Sequence, residues 1–352
     1  MTSTLVLVTG GSGFVGSHCI LAALRSSYQV RTTLRSLNRA DEVRQMLRTG
    51  GATDEAVQGV EFCVADLLTD AGWSEACQGC EYVLHVASPF PSGLPKDAEE
   101  LIGPARDGTL RVLKAAKGAK TVKRVVVTSS FAAIGYGRPQ GSKQLSEEDW
   151  TRLDDPEFPV PAYPKSKTIA ERAAWDWIAK EGGAMELTVV NPVGIYGPIL
   201  SKQYAFSIEL VSRLMNGQMP GLPKLCFAVV DVRDVADLHM RAMVDPKAAG
   251  QRFLAASDDG FLWTRDIALK LKHQLGDKAK NVPTRQLPNL VFRMVGWFDG
   301  AVAVIVPELG KEKALTNQKA KSMLGWQPRS AEEALMASAV SLIEQGVVKL
   351  FA

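Results

Sequence analysis

Tyr163 and Lys167 stand four residues apart in Tyr163-Pro-Lys165-Ser-Lys167, a stretch that opens a helical pattern running to Lys180. Side chains with that spacing share one face of a helix, so a phenol and an ammonium are expected to point together. A phenol titrates near ~10 and is a poor acid–base partner at neutral pH. A neighbouring ammonium favours the phenolate and draws the group toward the working range. The pair is suited to moving a proton to or from an oxygen, and Lys165, between them, should face away. Upstream, Val125-Val-Val-Thr128-Ser129-Ser130 reads as a strand ending in hydroxyls, where a serine can hold a carbonyl oxygen by a hydrogen bond.

Such a site needs a reagent, and the start of the chain offers a place for one. Thr9-Gly10-Gly11-Ser12-Gly13-Phe14-Val15-Gly16 follows a predicted strand and opens a predicted helix. Gly10 permits a tight turn, Gly13 lets backbone approach a pyrophosphate, and Gly16 lets the helix pack close to the sheet. The first helical turn offers free N–H groups and a partial positive charge to phosphates. The end of the second strand selects the nicotinamide. An NAD site places an acid there, but this chain has Arg31-Thr-Thr-Leu-Arg35-Ser-Leu-Asn-Arg39 and no carboxylate until Asp41. Arg35, joined by Arg39, can pair with a 2′-phosphate that a carboxylate would repel. The expected cofactor is NADP(H). Asp66 and Leu67 are expected at its adenine, and Val86, Ala87 and Ser88 where it lies against backbone. Thr128 completes the same strand edge.

The elements that must position these residues alternate regularly. Candidate strands are Thr4–Val8, Gln29–Leu34, Val60–Val64, Tyr82–Val86, Arg124–Thr128 and Leu187–Val190, mostly continuous apolar runs as in a parallel sheet covered on both faces. Helical patterns lie between them at Phe14–Ser26, Arg39–Arg48, Asp97–Lys117 and Tyr163–Lys180. The rhythm predicts an α/β fold, a doubly wound parallel sheet (Rossmann), with a smaller, mixed C-terminal substrate lobe. Residues 1–190 are read as the dinucleotide-binding domain, with 226–258 returning to it through the run Val229–Asp237. Residues 191–225 and 259–352, broken by prolines, are read as the substrate-binding lobe. Its pocket wall is expected from Phe90, Phe131, Ile134, Tyr204 and Phe227, with Tyr136, Phe206, Met219 and Leu222. So many apolar side chains favour an aryl or hydrophobic carbonyl over a sugar.

Composition narrows the function classes. A net charge of +3 over 352 residues, without a long basic run, argues against nucleic acid or a membrane surface as partner. Leu5-Val-Leu-Val8 is too short for a secretory core, and Leu290–Leu309 is interrupted by Arg293, Asp299, Pro307 and Glu308. Five cysteines, an odd number in a long chain, suit a reducing, cytoplasmic location. Cys77-x-x-Cys80 has no second pair or nearby histidine to complete a metal site, so no metal is expected.

The chain resembles the extended short-chain dehydrogenases/reductases, and within them the branch of dihydroflavonol reductases, cinnamoyl-CoA reductases and microbial aldehyde/ketone reductases. The matching stretches are Thr9–Gly16, His85-Val-Ala-Ser-Pro89, Val127-Thr-Ser-Ser130, Tyr163–Lys167, Asn191-Pro-Val-Gly-Ile-Tyr-Gly-Pro198 and Asp231-Val-Arg-Asp-Val-Ala236. The resemblance implies a catalytic Ser130/Tyr163/Lys167 set, with Ser130 preferred to Ser129 as the last serine of its run. It also implies Pro192 and Val193 against the nicotinamide carboxamide. Phe131–Gly137 replaces the longer recognition segment of the plant flavonoid reductases, which argues against dihydroflavonol as substrate. The expected activity is reduction of a small-molecule ketone or aldehyde by NADPH, in a monomer or homodimer. Its rivals are a nucleotide-sugar epimerase or dehydratase with tightly bound NAD, and a non-catalytic NADPH sensor on the same fold.

Overall fold

A computed structural model describes residues 4–89, 97–139, 141, 143–298, 302 and 305–349. In chain order the first half comprises β1 (Leu5–Val8), α1 (Phe14–Arg25), β2 (Gln29–Leu34), α2 (Ala40–Thr49), α3 (Asp54–Gln58), β3 (Glu61–Val64), α4 (Trp73–Cys77), β4 (Tyr82–His85), α5 (Glu99–Gly118), β5 (Arg124–Thr128), β6 (Gln144–Leu145) and α6 (Ala162–Glu181). The second half comprises β7 (Glu186–Pro192), β8 (Gly194–Tyr196), α7 (Phe206–Met215), β9 (Cys226–Asp231), α8 (Val232–Val244), β10 (Arg252–Ala255), β11 (Phe261–Trp263), α9 (Thr264–Leu275), α10 (Asn289–Val295), β12 (Ala314–Leu315), α11 (Gln318–Leu324) and α12 (Ala331–Glu344).

Seven parallel strands form the main sheet in the order β10-β7-β5-β4-β1-β2-β3. Successive strand residues point to opposite faces, and both faces are buried here. Val6, Val8 and Val126 join the core on one face, with Ile20 of α1, Val43 of α2 and Leu238 of α8. Leu7, Val125 and Val127 join the core on the other, with Val112 of α5 and Ala174 of α6. That double burial is why the strands read as unbroken apolar runs. The order reverses between β1 and β4, which opens a crevice at their carboxyl ends, the ligand site of this architecture.

The second lobe is a three-stranded sheet, β11-β9-β8, with β8 and β9 parallel and β9 and β11 antiparallel. Its core joins Ile208 and Leu214 of α7, Ile267 and Leu271 of α9, and Leu335 and Leu342 of α12. A two-stranded pair, β12-β6, ties the late chain to the loop after β5.

The run Val229–Asp237 does not return to the main sheet as a strand. Val229–Asp231 pairs with Gly194–Tyr196 in the small sheet. Asp231 then caps α8, its carboxylate accepting from Arg233 N at 2.8 Å. It is α8, packed on α1, and β10, paired with Val189–Pro192, that rejoin the larger body. The strand was claimed by the short partner immediately ahead of it, and the sheet edge was left to Arg252–Ala255.

Among the described residues no helix is long and apolar enough to cross a membrane.

Candidate active site

The glycine loop is shaped by what its residues lack. Gly10 adopts φ +71°, and a Cβ there would stand 3.1 Å from the backbone and side chain of Ala87. A Cβ on Gly16 would overlap the Gly10 carbonyl oxygen, and one on Gly13 would lie 3.2 Å from the same atom. Gly13 caps α1 and has no side chain of its own to bond the N–H groups of the first turn. Phe14 is buried, while Val15 and Ser12 are half-buried. A cradle that excludes Cβ atoms beneath an uncapped helix start fits an anionic pyrophosphate.

Thr9, just ahead, joins the two strands of the crevice. Its Oγ1 accepts from Val86 N at 3.1 Å and Ala87 N at 3.0 Å and contacts His85 Nδ1 at 2.9 Å. Across the loop, Gly10 N donates to Thr33 Oγ1 at 3.1 Å. Val86, Ala87 and Ser88 are thereby held beside Gly10.

Arg35 is exposed immediately after β2. Arg39 is engaged instead: its guanidinium meets Glu42 at 2.9 Å and donates to Gln203 Oε1 at 2.6 Å. Asp66, half-buried after β3, accepts from Leu68 N at 2.9 Å. Leu67 lies against Gly108 of α5.

The other end of the crevice brings Ser130, Tyr163 and Lys167 together. Tyr163 lies in the first turn of α6, with the Ser130 hydroxyl close enough to act on its phenol. Its surface is 38% exposed, although its hydroxyl lies among protein groups. Burial raises its pKa above the usual phenol value, and the Ser130 hydroxyl opposes the rise. The expected depression by Lys167 does not figure among these influences. Lys167 Nζ donates to Ser88 Oγ at 3.1 Å, and burial lowers the pKa of its ammonium to about 8, opposed by the Glu171 carboxylate. A cavity of about 20 Å³ lies beside Lys167, bounded by His85, Ser88, Thr109 and Glu171 among others. It has room for about one water molecule.

The geometry separates the two serines. Ser130 Oγ faces Tyr163 and accepts from Ala132 N at 3.1 Å, opening the helical turn Phe131–Ala133. Ser129 is buried and donates to Glu171 Oε2 at 2.5 Å, away from the phenol. Thr128 contacts His239 Nε2 at 2.7 Å, so its hydroxyl is committed to α8 rather than turned to a cofactor. Pro192 is buried and Val193 half-buried at the end of β7, with Val193 N donating to Ala255 O at 3.1 Å.

The expected pocket wall is only partly present. Phe131 and Ile134 are core residues, 7% and 0% exposed, packed with Leu145, Ala228 and Leu254. Phe131 meets Phe261 edge-on at 5.9 Å. The turn after Ser130 folds inward to bury both side chains. Leu222 is fully buried in the second lobe, and Phe206 is 76% exposed at its surface. Tyr204, Met219, Phe227 and Tyr136 are half-buried. Tyr204 donates to Glu209 Oε2 at 3.1 Å. Phe90 lies outside the described residues.

Glu171 and its partners were not anticipated. The four-residue step from Lys167 to Glu171 was available as a signal, since it places the carboxylate on the same helix face. Arg252, His85 and Asn191 as a side-chain donor announce themselves only when the strands are assembled. Cys77 and Cys80 are buried in the core, where burial raises their thiol pKa values to about 12 and about 11. Such thiols are unreactive.

A family model described as the NAD dependent epimerase/dehydratase family matches residues 6–256. Cinnamoyl-CoA reductase CAD2 of Medicago truncatula is 33% identical over 254 residues, covering 71% of this chain and 75% of that enzyme. Ketoreductase azaE of Aspergillus niger is 29% identical over 357 residues, covering 97% and 98%. Among solved structures, yeast methylglyoxal/isovaleraldehyde reductase Gre2 complexed with NADPH superposes with a TM-score of 0.79 at 26% identity, covering 98% of this chain and 100% of that one.

Proposed function

Because the chain belongs to the NAD dependent epimerase/dehydratase family, the extended short-chain dehydrogenases/reductases, we propose that it reduces a small ketone or aldehyde to the alcohol with NADP(H) as cofactor. The observation that carries the reading is the convergence of Ser130, Tyr163 and Lys167 at the same crevice as the glycine loop. Gly10, Gly13 and the start of α1 would hold the pyrophosphate, Arg35 the 2′-phosphate, and Val86–Ser88 the track between them. The bound cofactor would supply a hydride to the carbonyl carbon. Ser130 Oγ orients the carbonyl oxygen by a hydrogen bond. Tyr163 gives its proton to that oxygen as negative charge develops there, and burial keeps the phenol protonated until then. Lys167 supplies positive charge beside the forming phenolate and, through Ser88, closes the site toward β4.

Tyr204, Met219 and Phe227 pack against the second-lobe core, so the aryl or otherwise hydrophobic carbonyl is supported by the apolar content of the sequence. Five free thiols suit a reducing compartment. The epimerase alternative has less support, since the relatives compared above are named as reductases and Arg35 stands where an NAD site would carry an acid.

The test is NADPH oxidation against aromatic ketones, α-dicarbonyls, β-keto esters and acyl-CoA thioesters, run beside Tyr163→Phe. Turnover with at least one carbonyl class, lowered about 100-fold or more in the variant, is expected. A Tyr163→Phe enzyme of near wild-type activity sinks the mechanism. Purification with tightly bound NAD and no turnover restores the epimerase reading.

A further inference from the structure

Behind the proposed catalytic groups lies a buried carboxylate that the mechanism above does not use. Glu171 sits on α6, one turn beyond Lys167 and two beyond Tyr163, and its side chain is 0% exposed. One oxygen, Oε1, accepts from Arg252 Nε of β10 at 2.5 Å and from Trp175 Nε1 at 3.4 Å. The other, Oε2, accepts from Ser129 Oγ at 2.5 Å and Asn191 Nδ2 at 2.7 Å. Asn191 Nδ2 also donates to the Ser130 carbonyl at 3.2 Å. One carboxylate thus reaches the ends of β5 and β7, the strand β10 and the helix bearing Tyr163 and Lys167.

A buried charge needs a partner and full hydrogen bonding. Arg252 is the partner, itself 9% exposed, donating to Glu147 O at 2.7 Å and Asp149 O at 2.9 Å, and stacked 3.7 Å from the Trp150 ring. Four elements meet on this ion pair, and a network at that position fixes their mutual placement. The fixed quantity is where Ser130 stands relative to α6.

We propose that Glu171 is a positioning residue of this site: held by Arg252, its carboxylate grips Ser129 and Asn191 so that Ser130 faces Tyr163, and it stands one helical turn from Lys167 as its counter-charge. The proposal rests on the Ser130/Tyr163/Lys167 reading for its catalytic meaning but not for its geometry.

The charged and titratable groups around Lys167 are few. On α6 they are Tyr163 and Glu171; from β4 comes His85, and Ser88 follows it. The face of α5 toward the cavity carries Ala105 and Thr109, neither titratable. Beyond Glu171 stand Arg252 and, behind it, Glu147, whose carboxylate accepts from Leu254 N at 2.8 Å. Among the described residues bordering this cavity, Glu171 is the anion that opposes the loss of the Lys167 proton.

The test compares Glu171→Gln, which keeps the shape and removes the charge, with Glu171→Asp, which keeps the charge. The readout is the pH dependence of Lys167 acetylation by acetic anhydride in the whole protein, quantified by mass spectrometry. The expected midpoint is about one pH unit lower in Glu171→Gln and near wild type in Glu171→Asp. Reduction should fall about tenfold or more in Glu171→Gln through kcat rather than the NADPH KM, with its alkaline limb moved down by the same unit. An unmoved midpoint in Glu171→Gln overturns the counter-charge, and a wild-type kcat in that variant overturns the grip on Ser130. If Glu171→Gln does not fold, Glu171→Met serves as the second charge-removing variant: an unmoved midpoint there overturns the counter-charge, and a lowered midpoint supports it. The labelling does not depend on turnover, so a failure of the functional reading in Tyr163→Phe is seen separately.

Discussion

The two ends of the crevice are built on opposite plans. At the glycine loop, the site consists of backbone N–H groups and the absence of side chains: a Cβ at Gly16 would collide with Gly10, and one at Gly10 would press on Ala87. At the Tyr163 end, it consists of side chains packed against one another, with Ser129, Asn191 and Arg252 all bonded to Glu171. The first end cannot accept added atoms and the second cannot lose them. Phosphates are recognised by oriented backbone dipoles, for which a side chain is an obstacle. A proton must be held and released by a group whose pKa its surroundings can move, and only side chains offer that.

The contrast can be broken most directly at the chemical end. Lys167→Met keeps the bulk and removes the charge, and kcat for carbonyl reduction should drop by about 10²–10⁴-fold, with NADPH still bound in a fluorescence titration. A drop smaller than tenfold would mean the ammonium is filler.

Acid should strike both ends. Burial lowers the His85 pKa to about 3 and those of His18 and His239 to about 4. The unfolded chain takes up protons first, near ~6.5. The stability these neutral histidines allow is therefore complete above that pH and drains as pH falls toward their folded values, by about 1.4 kcal/mol per histidine per pH unit. Urea midpoints between pH 6.5 and 4.5 should show it, and His239→Gln should flatten the slope.

At the nucleotide end, Gly16→Ala adds one carbon where there is no room. A cost of about 1–3 kcal/mol should appear as weaker NADPH binding together with a lower melting temperature. The smallest effect sharpens the cofactor choice: Arg35→Ala should raise the NADPH KM about tenfold, worth ~1.4 kcal/mol, and leave that for NADH alone. Equal effects on both cofactors would remove Arg35 from the 2′-phosphate.

What the sequence discloses follows the same division. The doubly wound sheet was legible because burial on both faces writes each strand as a continuous apolar run, and the glycine loop because only glycine meets its steric demands. Tyr163, Lys167 and Ser130 were legible as a local spacing and a strand end. The Glu171 network was not, because its members come from residues 129, 171, 191 and 252, and no local pattern says which strand faces which helix. Phe131 and Ile134 were assigned to the pocket because an apolar side chain reads the same in a wall and in a core; the inward fold of the turn after Ser130 decides. The small sheet took Val229–Asp231 for a similar reason, since a β-branched run does not name its partner.

Thr9 decides more than the width of the crevice. Its oxygen accepts from two backbone N–H groups, Val86 and Ala87, which occupy both lone pairs. Its own proton must then go to His85 Nδ1. That makes His85 a neutral ring with its hydrogen on Nε2, consistent with a pKa lowered to about 3. A ring in that tautomer can donate a hydrogen bond through Nε2 but has no lone pair free to take a proton from Lys167. A threonine hydroxyl at the end of the first strand therefore removes His85 as an acceptor for any proton leaving the lysine.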